Sequence, residues 1–156
     1  MRNTEMLNRI YNAYNGYDVT MEEMYQNAKQ FGNTVIQSYG FRLDEPDKYK
    51  YFMIFCAWCA AADGEPTRKE YEFFVKFSGL NAKYEDFRNA GLQAIRSRQA
   101  SLELRDINKN LFKSGTMYDY SANIVALCMC GCDGPINEKE KAFLNEYIRH
   151  PDYNPL

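Results

Sequence analysis

The chain has 156 residues, 46% of them apolar, with 13 Tyr and 10 Phe, enough to bury one sizeable core and to argue for a single domain over 1–156. Its 19 basic and 21 acidic residues nearly balance at a formal −2, and Lys and Arg are scattered along the chain, which argues against nucleic acid as a partner. No stretch approaches about eighteen uncharged apolar residues, and "MRNTEMLNRIYNAYNGYD" lacks both a signal-peptide core and a small-residue cleavage site, so a soluble cytoplasmic protein with no membrane association is expected.

N-terminal helices are expected over about 4–40, packed on the rest of the domain. In "TMEEMYQNAKQFGNTVIQSYG", Thr20 and Glu23 have capping-box spacing and Gly40 is placed to close a helix over about 21–38. "PDKYKYFMIFCAWCAAA" is apolar on every face beyond Lys50, as a helix surrounded by others must be, and predicts a buried centre over about 47–62. Asp63-Gly64 then makes a turn, and a second helix carries Glu70 in its first turn. Asn81 and Ser101 are expected as N-caps of "AKYEDFRNAGLQAIRS" and "LELRDINKNLFK". A second apolar helix over about 118–132 leads into Asp133-Gly134 and a helix containing Glu140, which Pro151 and Pro155 are expected to stop. Strand alternation is absent and no Pro-, Gly- or Ser-rich run marks a boundary, so the fold class is all-α.

A shift of 70 residues sets "FCAWCAAADGEPTRKEYEFF" over "VALCMCGCDGPINEKEKAFL", pairing Asp63 with Asp133, Gly64 with Gly134, Glu70 with Glu140 and Phe73 with Phe143. The bundle therefore contains two pseudo-symmetric helical hairpins. Their inner helices are expected to pack together in the centre about an approximate two-fold, with Asp63 and Asp133 close at one end. Gly64 and Gly134 suit positive-φ residues that terminate helices, and Thr67 with Glu70, like Asn137 with Glu140, has capping-box spacing. The aspartates fit a purely structural role poorly, because a carboxylate beyond a helix C-terminus faces the negative end of the dipole and costs about 0.3–1 kcal/mol. The Asp, Gly and Glu spacing also matches part of a calcium-binding EF-hand loop. Its early ligand positions would nevertheless be Cys59 and Ala61 in one copy and Met129 and Gly131 in the other, which supply no side-chain oxygens. A cation, if bound, must be shared between hairpins.

These residues resemble the helical TerB-like domains, a tellurite-resistance-associated group also attached to some membrane-bound J-domain co-chaperones. Their paired "aaDGxixxxE" signature is similar to "AAADGEPTRKE" and "CGCDGPINEKE", and the resemblance covers about 45–149. It implies an all-helical fold of about seven to nine helices, a stress- or tellurite-resistance-associated role, and a divalent-metal site at Asp63, Glu70, Asp133 and Glu140. Pro66 stands where an aliphatic residue is usual and Pro135 follows Gly134, so the two turns need not share one shape. Nothing in the chain resembles the J-domain.

Oxygen ligands favour calcium, magnesium or manganese. Zinc is disfavoured: at about 100° per residue Cys56, Cys59 and Asp63 fall within about 60° of one another, whereas Cys128 and Cys132 point away from the matching sector of Met129, Cys130 and Asp133. The five cysteines form an odd set inside apolar segments and read as reduced thiols filling the core, and "CAWC" lies within a helix rather than at the helix start that redox pairs occupy. A non-catalytic protein is expected: the sole histidine, His150, abuts Pro151, no nucleophile has a base partner, and no Gly-rich phosphate loop occurs. The alternative to a cation-binding module is a helical protein-interaction domain in which the acidic residues are only caps. Its aromatic surface would draw on the tyrosines of "YNAYNGYD" and "MYDY".

Overall fold

Helices occupy about three quarters of residues 2–16 and 18–150, which the computed structural model describes, and no strand occurs among them. In order they are α1 (Arg2–Asn15), α2 (Met21–Gly40), α3 (Glu45–Ala60), α4 (Arg68–Ser78), α5 (Tyr84–Ile95), α6 (Arg98–Leu111), α7 (Met117–Gly131) and α8 (Glu138–Phe143), the last continued by a π-helical turn (Leu144–Ile148). None of the described helices is long and apolar enough to cross a membrane.

Local sequence explains most of the helix starts. Thr20 caps α2 through the Glu23 amide, with the glutamate reaching back to the Thr20 N–H. Gly40 does not close that helix in a left-handed residue; α2 runs through it to Phe41, which caps it in a right-handed conformation. Two other expected caps shift. Lys83, not Asn81, precedes α5, and Ser97, not Ser101, caps α6. The Ser101 hydroxyl is used inside the protein, accepting from Trp58 Nε1 at 3.1 Å and donating to the Ala94 carbonyl at 2.9 Å. The expected stops at Pro151 and Pro155 lie outside the described residues.

α3 and α7 are the inner helices. Phe52 and every residue from Phe55 to Ala60 are buried on α3, and every residue from Asp119 to Gly131 is buried on α7. Helices that are apolar on all faces must be surrounded. They meet each other, the Cys130 thiol lying 3.6 Å from the Cys59 carbonyl. The expected central contact is present, and each inner helix also has a longer neighbour: α2 runs along α7, and α5 along α3. Gly91 permits the second pairing, because a Cβ there would lie 2.5 Å from the Ala57 carbonyl oxygen and 2.7 Å from Pro66 Cγ. Several buried polar groups on these surfaces are paired, whereas the Ser121 hydroxyl on α7 is buried without a partner. Tyr11 donates to Asn123 Oδ1, Asn123 Nδ2 donates to the Asp119 carbonyl at 2.8 Å, and Tyr39 donates to Asn108 Oδ1 at 2.9 Å.

Candidate metal centre

The two hairpin turns are alike despite their different prolines. Gly64 and Gly134 have φ of 140° and 148°, where a side chain would be strained, and each N–H turns back to the residue three before it. Pro66 and its counterpart Ile136 are both buried beneath the turn. Thr67 and Asn137 then cap α4 and α8. Glu70 N–H bonds Thr67 Oγ1 at 3.2 Å while Thr67 N–H reaches Glu70 Oε1 at 2.7 Å; the Asn137 and Glu140 pair repeats this at 2.9 Å in both directions.

Each cap also reaches into the other hairpin. Thr67 Oγ1 donates to Asp133 Oδ2 at 3.4 Å, and Asn137 Nδ2 donates to Asp63 Oδ2 at 3.0 Å. Such reciprocal exchange is what an approximate two-fold produces. It also supplies the compensation that the aspartates require beyond the ends of α3 and α7.

Between the caps, one carboxylate oxygen from each of Glu70, Asp133 and Glu140 lies within 4.8 Å of the others. Three of the four residues implied by the signature thus converge, and Asp63 stands outside that group, held by Asn137. Asp133 is exposed at the mouth, whereas Glu70 and Glu140 are only 1% and 2% exposed. One oxygen of Glu70 receives the Thr67 N–H, but Oε2 is buried with no hydrogen-bond partner. An ionised carboxylate in that position lacks the compensation burial demands. Burial, first, and the charges of Asp133 and Asp63 push the Glu70 carboxyl from its ordinary 4.5 up to about 8, against the lowering effect of the Thr67 N–H. Glu140 is likewise raised to about 8 by burial and by Asp63 and Asp133. Burial and Asp63 raise Asp133 too.

The donor set is entirely oxygen and fits a hard cation. With ligand distances of about 2.3–2.6 Å, calcium tolerates opposed oxygens up to about 5 Å apart, so these carboxylates could reach one ion without rearrangement. Exposed Asp133 and Asp63 leave the outer side open to water, which the remaining coordination positions need.

No cysteine belongs to this group, which is the one cluster of three or more ligand-type side chains among the described residues. All five thiols are free and buried, and burial pushes each of them up. Cys128 lies 3.0 Å from the Tyr14 hydroxyl, on the side of α7 that receives α1. The expected tyrosine surface is corrected: Tyr11, Tyr14 and Tyr120 are buried, Tyr118 is half-buried with its ring edge-on to Phe41, and Tyr17 lies outside the described residues. Exposed apolar surface instead borders a groove of about 880 Å³ between α3, α5 and α6, where Tyr49 and Ile107 are 37% and 45% exposed.

The repeat identified Glu70 and Glu140, but not the orphaned oxygen or the crossed hydrogen bonds. Thr67 and Asn137 were legible as caps; that each also has a donor left over after capping was the available signal for the second contact. No family model, curated protein or solved structure matches the chain.

Proposed function

We propose that this chain is a small, non-catalytic TerB-like module that binds a divalent cation, calcium, magnesium or manganese, through Glu70, Asp133 and Glu140 at the junction of its two hairpins. The observation that carries the reading is that Glu70, whose Oε2 is buried with no hydrogen-bond partner, brings its carboxylate together with those of Asp133 and Glu140. Burial of Glu70 and Glu140 beside the Asp133 carboxylate disfavours their ionised forms, and a cation would supply the missing charge. A stress- or tellurite-resistance setting rests on the resemblance alone, while a reducing, cytoplasmic compartment is supported by the five free cysteines. Equilibrium dialysis of chelator-treated protein against calcium tests the reading: about one ion per chain is expected, and none in the Glu70→Gln/Glu140→Gln variant. Uptake that is absent, or unchanged in that variant, would reduce the acidic residues to caps.

A further inference from the structure

We infer that Asn137 sets the affinity of the cation site by holding Asp63 out of the ligand set, so that two sequence-equivalent aspartates have unequal roles. This rests on the cation-binding reading. The two N-caps perform the same double task with different chemistry. Asn137 divides it between two atoms: Oδ1 accepts the Glu140 N–H at 2.9 Å and Nδ2 donates to Asp63 at 3.0 Å, both ordinary distances. Thr67 has a single oxygen, which accepts the Glu70 N–H at 3.2 Å and donates to Asp133 at 3.4 Å. A hydroxyl-to-carboxylate bond is normally about 2.5–2.7 Å, so the hold on Asp133 is weak.

The carboxylates arrange accordingly. Asp133, loosely held, contributes an oxygen to the group within 4.8 Å, and Asp63, firmly held, does not. The Glu70 oxygen left without a partner, on a side chain 1% exposed, marks the place where positive charge is missing. Asp133 completes the ligand set there, and Asp63 remains a reserve carboxylate in the same turn of the other hairpin. Because calcium affinity follows the number of charged ligands, releasing Asp63 would tighten the site.

Calcium titration calorimetry on chelator-treated protein separates these roles. Asp133→Asn should weaken binding at least tenfold, while Asp63→Asn should leave it within about twofold of wild type. Asn137→Ser keeps an effective cap but shortens the side chain and loses the amide donor. It should tighten binding about fivefold or more, and adding Asp63→Asn should remove that gain. A purely structural role for Asn137 would lower affinity or leave it unchanged, and would not depend on Asp63. Thr67→Asn supplies the converse: it preserves a cap, gives the first hairpin an amide donor to hold Asp133, and should weaken binding about fivefold. Equal losses in Asp63→Asn and Asp133→Asn, or a folded Asn137→Ser variant without tighter binding, would overturn the inference while leaving cation binding standing. A wild-type protein that binds no calcium, magnesium or manganese would overturn both.

Discussion

Glu70 and Glu140 each serve two purposes that can be separated by charge. As cap residues they need only an oxygen facing the Thr67 and Asn137 amides, which glutamine also offers. As cation ligands they need negative charge. Their folded-state values near 8 lie above an ordinary 4.5, so between those limits the folded protein binds more protons than the unfolded chain. Stability from these groups is therefore fully present below about pH 4.5 and is lost as pH rises through about 8. Denaturant unfolding in chelator should show wild type losing stability across that window relative to Glu70→Gln/Glu140→Gln; parallel curves would contradict the assignment. Cation binding must displace those protons, so calorimetry at pH 7 in buffers of different ionisation enthalpy should report about one to two protons released per ion. The caps and the acidic candidates were readable because S/T/N-x-x-E is a local pattern. The Asn137 to Asp63 contact was not, because it joins residues 74 positions apart and depends on how two hairpins meet.

Among the elements, the apolar runs on α3 and α7 announced burial, since a helix with no polar face has no other stable placement. Which helix would lie alongside each was not written in those runs. The α5 contact depends on Gly91, an unremarkable glycine in sequence whose missing side chain lets the helix reach the Ala57 carbonyl. Gly91→Ala should cost about 1–3 kcal/mol in denaturant unfolding, because backbone blocks the new methyl and α5 must move; a neutral result would show that the close approach is dispensable. Ser101 was misread for a related reason: its cap-forming hydroxyl is taken by Trp58 and Ala94. The tyrosines were surface candidates only under the interaction-domain alternative, because a phenol can face either way, and packing with Asn123 and Cys128 puts Tyr11 and Tyr14 inside. Cys128→Ala and Cys132→Ala should each cost about 1–2 kcal/mol as small core cavities. Neither should alter calcium uptake; loss of a bound metal in these variants would return thiolates to the ligand set.

For the whole molecule, the acidic site lies where the two halves of the repeat touch, and a cation there would tie the α3–α4 hairpin to the α7–α8 hairpin. Preferential binding to the folded chain must then raise thermal stability. At calcium about a hundred times its Kd the gain is about 2.7 kcal/mol, or about 5–10 °C in Tm for a domain of this size. The decisive measurement is thermal unfolding of chelator-treated protein at pH 7.5, with and without millimolar calcium, for wild type and Glu70→Gln/Glu140→Gln. Wild type should gain those degrees, while the variant should keep its metal-free Tm and gain almost nothing. A wild type indifferent to calcium, magnesium and manganese, or a variant that retains the full gain, would show that the paired carboxylates are helix caps and not a cation site.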